Sequence, residues 1–197
     1  MKSMNISNIS NISNIVIRLG LIVALSFSAI ISQPVQAQSE RAWTTVGSAG
    51  VVEEGHVDLV NLSGGGVAQL QAGAPANTSA LIRYNVTATS GLFGALGTPI
   101  KMNVRYQDNN SNARVIVRLR EYNFIAGTAP ATIIEFDSND YAAAAGLQTK
   151  GKNAACGFAF DFANKAYYLE VELSRTAANG FPQAAVVQLS AMPGSCV

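Results

Sequence analysis

The chain has 197 residues, a formal net charge of +1 and only 13% charged side chains. Two of its basic residues, Lys2 and Arg18, sit in an N-terminal leader, so the remainder is close to neutral. Balanced charge argues against a dedicated nucleic-acid binder, which must displace phosphate counterions with a large basic surface, and gives no strong attraction to anionic lipid.

The leader opens on the triplets Asn5-Ile6-Ser7, Asn8-Ile9-Ser10 and Asn11-Ile12-Ser13, a low-complexity tract excluded from fold reasoning. Arg18 then precedes an apolar run over 19–32, followed by Pro34 and by Val35 and Ala37 at the −3 and −1 positions of a cleavage site. That grammar predicts a signal peptide over 1–37, cleaved after Ala37, and a secreted or periplasmic protein. The run is short for a bilayer span, no later segment comes close, and no Cys follows it to carry a lipid anchor. The remainder, 38–197, has the size of one domain with a proper core.

Past residue 40 the dominant period is two, the signature of half-buried strands. Strands are expected over 42–46, 49–53, 57–61, 67–71 and 79–87. Met102, Val104 and Tyr106 then alternate with Lys101, Asn103 and Arg105, and Val115, Val117 and Leu119 with Arg114, Ile116, Arg118 and Arg120. Between them lies Asp108-Asn109-Asn110-Ser111-Asn112, rich in turn formers, so the pair reads as a hairpin. A strand over 131–136 follows, and Tyr141–Ala145 reads as a short helix stopped by Gly146. Phe158, Phe160 and Phe162 alternate into a turn at Ala163-Asn164-Lys165, and Tyr167, Leu169, Val171 and Leu173 return as a second hairpin. A last strand covers 184–191. Roughly ten short strands predict an all-β fold, an antiparallel β-sandwich or jelly roll.

The two cysteines, Cys156 and Cys196, favour a disulfide in an exported chain. A loop of around 40 residues gives roughly 3–4 kcal/mol in the chain-entropy treatment. A simple meander of the last strands would leave the two ends about 20 Å apart at ~3.3 Å per residue, so the bridge requires another arrangement or a turn back.

Candidate ligand-binding residues come from the polar faces. Lys101, Arg105, Arg114, Arg118 and Arg120 are expected on one outer face, with Arg83 beside them, and Asp161, Glu170 and Glu172 on another. They form either an anion or acidic-glycan site or cross-strand ion pairs, and the pairing is the favoured reading. Tyr168 is the aromatic that the alternation places outside, able to stack on a sugar, whereas Trp43 and Tyr106 read as packing residues. His56, the only histidine, reads as a solvated loop residue with no triad context. Asp108–Asn112 resembles the opening of a calcium loop, but Ala113 stands in the glycine position and Leu119 in that of the bidentate Glu, so it reads as a turn. Asp137–Asp140 is a weaker candidate of the same kind. Gly64-Gly65-Gly66 lacks the Lys-Ser/Thr of a phosphate loop.

No metal or cofactor site is expected, and catalysis is not. The leading expectation is an exported binding module for a glycan or cell-envelope component. Its rivals are a fimbrial or matrix subunit assembling by strand addition, and a glycan hydrolase using carboxylates among Glu135, Asp161, Glu170 and Glu172.

Overall fold

The computed structural model of the protein describes residues 42–87 and 100–191. The expected leader and Cys196 lie outside the described residues.

Period-two sequences become strands here because one phase of each is apolar and finds a facing sheet to bury it. The described strands are β1 (Ala42–Val46), β2 (Val51–Val52), β3 (Val60–Leu62), β4 (Ala68–Leu70), β5 (Thr78–Val86), β6 (Ile100–Asp108), β7 (Ala113–Asn123), β8 (Ala131–Asp137), β9 (Ala144–Asn153), β10 (Lys165–Arg175) and β11 (Gln183–Ala191). They form two antiparallel sheets, a β-sandwich. The first has the order β3-β4-β11-β6-β9, with β1 lying along the same edge of β11 as β4. The second has the order β2-β5-β10-β7-β8. Met102, Val104, Tyr106 and Leu189 of the first sheet and Val115, Val117, Leu119, Leu169, Val171 and Leu173 of the second are buried in one core. Trp43 packs against that core, and Tyr106 lies inside it, edge-on to Phe136.

The chain changes sheets between β1 and β2 in a tight turn at Gly47–Ala49. Gly47 is required there by close approach: a Cβ would stand 1.9 Å from the carbonyl oxygen of Ala184 on β11. The Tyr84 hydroxyl donates to the Gly47 carbonyl at 2.5 Å, tying the crossing to the second sheet. Ser63–Val67 is the β3–β4 turn, with Gly66 at φ 85°.

Three expectations are corrected. β6 and β7 are not a hairpin: β6 pairs with β11 and β9, β7 with β10 and β8, and Asn109–Asn112 arches from one sheet to the other. Alternation is the same for a hairpin as for two strands facing each other across a core, so the sequence could not separate them. Phe158–Phe162 is not a strand. Its rings pack together and onto Tyr167, and β10 pairs instead with β5 and β7. Finally, Tyr141–Ala145 is not a helix. Ala144 and Ala145 open β9, whose pairing with β6 overrides the intrinsic helix preference of alanine, as tertiary context does for any propensity.

The last strands also avoid the meander, since β9 and β11 belong to the first sheet and β10 to the second. Cys156, in the connection between β9 and β10, is not a free thiol. Because Cys196 is outside the described residues, the bridge between the two remains an expectation.

Candidate functional site

The outer faces of the two sheets have opposite electrostatic designs. On the second sheet, register sets Arg83 of β5, Glu170 of β10, Arg118 of β7 and Glu135 of β8 side by side in one row of alternating sign. Arg118 is its hub. Its Nε donates to Glu135 at 2.7 Å, and its Nη1 donates to Glu172 at 3.0 Å and to Glu170 at 3.4 Å. Burial works against the Arg118 charge, but the bonds and fields of Glu135 and Glu172 outweigh it and hold the guanidinium pKa above its usual value. Arg83 meets Glu53 at 3.0 Å. Arg114 grips Asp137 through both Nε and Nη2, and that bond, opposed by burial, lowers the Asp137 carboxyl pKa below the ordinary carboxylate range. Arg120 is held by Thr132 Oγ1 at 2.6 Å and the Pro130 carbonyl at 3.2 Å.

Of the sequence-predicted ligand residues, Arg114, Arg118, Arg120 and Tyr168 therefore share this face, while Arg105 stands on the opposite side of the sandwich. Tyr168 sits between Asn85 and Arg120, and Tyr122, 38% exposed, stands opposite the small Ala166 one step along. The carboxylates of the hydrolase reading do not face each other across a gap: Glu135, Glu170 and Glu172 converge on one cation from strands β8 and β10, and Asp161 lies apart in the β9–β10 connection, accepting from Asn164. His56 is less solvated than expected, its Nδ1 accepting from the Leu81 N–H at 3.3 Å.

The first sheet presents amides instead. Register aligns Asn61 of β3, Gln69 of β4, Gln183 of β11 and Gln107 of β6 in one row across four strands. A second row runs Thr44, Gln188, Asn103 and Gly151 across β1, β11, β6 and β9. Its members are linked, Asn103 Nδ2 donating to Gln188 Oε1 at 3.2 Å and Gln188 Nε2 to Thr44 Oγ1 at 3.5 Å. The flanking rows hold Lys101 with Ser190 and Asn153, and Arg105 with Val186 and Thr149. Among the described residues, no carboxylate stands at these paired positions.

At the middle of the first row, Gln69 and Gln183 join Leu70, Ala72, Phe181 and Pro182 in lining an open cavity of about 140 Å³. Phe181 is 42% exposed, and its backbone N–H donates to Asn109 Oδ1 at 2.7 Å. Asn109 and Asn110 donate to the Asn179 carbonyl, both at 2.9 Å, and Asn112 Nδ2 donates to Asn179 Oδ1 at 3.0 Å. The Asp108–Asn112 segment thus clamps the loop that carries Phe181. Asp108 itself is buried and accepts from Gln148 at 3.1 Å, and desolvation raises its pKa against the help of Ser138 and Gln148.

Sequence reasoning missed Gln69, Gln183, Gln107, Asn103, Gln188 and Phe181. The polar phase of β6 was visible as Lys101, Asn103, Arg105 and Gln107, but only register joins it to amides from distant strands.

No family model matches the chain, and no curated protein matches it. Among solved structures it is similar to the CBM36-1 domain of a multidomain xylanase from the hindgut metagenome of Trinervitermes trinervoides, at 15% identity and TM-score 0.42, over 79% of this chain and 99% of that one. It is similar to a carbohydrate-binding module, CBM36, in complex with calcium and xylotriose, at 11% identity and TM-score 0.38, over 75% and 99%. A family two carbohydrate esterase from Cellvibrio japonicus shares 14% identity at TM-score 0.36 over 80% of this chain, which spans 36% of that one. The fold thus resembles carbohydrate-binding modules at low identity, a likeness too distant to bear on ligand or residue. Among the described residues, no helix is long and apolar enough to cross a membrane.

Proposed function

We propose that this is an exported binding module that holds a polysaccharide on the outer face of its first sheet. The observation that carries the reading is the register of amides, Asn61-Gln69-Gln183-Gln107 and Gln188-Asn103, on a face without carboxylates at its paired positions. A primary amide both donates and accepts, as a sugar hydroxyl does, so amides fixed in rows can meet successive hydroxyls in either sense. Amides also lose less than ions when water leaves the contact. Phe181 supplies an apolar surface for the C–H face of a sugar ring beside the cavity. The leader expected over 1–37 would carry this face out of the cytoplasm, where glycans and envelope polymers lie.

The test is co-sedimentation of residues 38–197 with insoluble glycans and cell envelopes, with released reducing sugar assayed in the same tubes. Depletion that Phe181→Ala and Gln183→Ala weaken, without sugar release, is the expected result. Sugar release would replace the binding role with a hydrolytic one. A second reading puts the ligand on the other face, at Tyr168 and Tyr122, which register sets in neighbouring rows of β10 and β7, Tyr122 opposite the small Ala166. Tyr168→Ala separates the two readings, since it weakens binding only in the second.

A further inference from the structure

We infer that the polymer bound on the amide face is polyanionic, its acidic groups read by Lys101 and Arg105. The inference rests on the proposed glycan face and names the class of ligand that fits it. On the second sheet, Arg83, Arg114 and Arg118 each have a carboxylate partner. Lys101 and Arg105 have none among the described residues, and neither side chain makes a hydrogen bond there. All the N–H donors of both head groups are therefore available to a ligand.

Their placement is set by the fold. Both lie on the outer phase of β6, four residues apart and so about 13 Å along the strand, with Asn103 between them. Lys101 is directed across β9 by the absence of a side chain at Gly151. A Cβ there would stand 2.4 Å from Lys101 Cε and 2.7 Å from Asn103 Oδ1. A chain lying over the Gln188-Asn103 amides would pass both cations, one at each side, and an acidic group on each of two sugars would meet them together. Two cations are too few for a nucleic acid, whose phosphates would call for a broader basic surface.

The experiment is affinity electrophoresis of residues 38–197 through gels containing polygalacturonate, its methyl-esterified form, dextran sulfate or dextran. The paired arms separate charge from backbone, and carboxylate from sulfate. Expected is roughly tenfold tighter retardation by an acidic polymer than by its neutral partner, since an exposed ion pair contributes up to about fivefold. The advantage should shrink as salt rises to about 0.5 M. The Lys101→Gln/Arg105→Gln double variant should retain its melting temperature and lose the advantage. Gly151→Val, which displaces Lys101, should lose part of it. An acidic advantage that survives the double variant overturns the inference. Equal retardation by acid and neutral partner, weakened about fivefold by Asn103→Ala, overturns it while leaving the glycan face standing. Retardation in none of the four gels overturns both.

Discussion

The two sheets share one core and the same alternating strands, yet their outer faces solve different problems. The second sheet sets Arg83, Glu170, Arg118 and Glu135 in a row and bonds them to one another, so its charges are consumed within the protein. The outer face of the first sheet carries amides, hydroxyls and, in Lys101 and Arg105, cations with no carboxylate partner among the described residues. The same polar phase thus serves cohesion where opposite signs meet across strands, and leaves bonding capacity for a ligand where they do not. Polarity alone does not distinguish a structural face from a binding face. What distinguishes them is whether the neighbour set by register completes the side chain.

The comparison predicts different responses to substitution. The largest should follow Arg118→Gln, which leaves Glu135, Glu170 and Glu172 without their shared cation. Because these groups are only partly buried, a loss of about 2 kcal/mol is expected from chemical denaturation, below the cost of breaking a fully buried pair. Glycan binding should be unchanged, and weakened binding would mean that the second face takes part.

Two carboxylates, Asp137 on the outer face of the second sheet and Asp108 buried at the end of β6, should also respond oppositely to pH. Arg114 lowers the Asp137 pKa, so that bond stabilises the fold above the carboxyl's unfolded pKa and is lost as pH falls through the folded one. Burial raises the Asp108 pKa, so its contribution is present below the unfolded pKa and is lost as pH rises through the folded one. In stability measured against pH, Asp137→Asn should remove the acid-side loss and Asp108→Asn the loss on the rising side. Identical profiles for the two variants would contradict the assignment.

Smaller effects should fall on binding alone. Gln183→Ala and Asn103→Ala are each expected to weaken glycan binding by about fivefold, the range of one net hydrogen bond, with little change in melting temperature. The smallest effect belongs to Tyr168→Ala, which should leave binding within about twofold, a change too small for a lost hydrogen bond. A large loss would move the site to the second sheet and blunt the contrast between the faces.

Much of the strand content was legible before the fold was. Val115, Val117 and Leu119, and likewise Leu169, Val171 and Leu173, are buried on the phase that alternation assigned. Cross-strand pairing of Arg118 with Glu170, the favoured reading of the charged residues, is what β7 and β10 show. The site was much less legible. Gln69 and Gln183 are adjacent in space and far apart in sequence, and Arg105, grouped with Arg118 by apparent hairpin logic, is on the other side of the sandwich. The helix expected at Tyr141–Ala145 failed because a run of alanines weighs little against an available strand edge.

By itself, then, the sequence determined the all-β class, the phase of its longer strands and most of the core, because burial follows a two-residue period that is local. Which strands are neighbours, which charges are completed and which amides stand in a row were decided only in the tertiary structure. Pairing partners and sheet membership depend on contacts between distant segments, and alternation looks the same whether two strands lie side by side or face each other across the core.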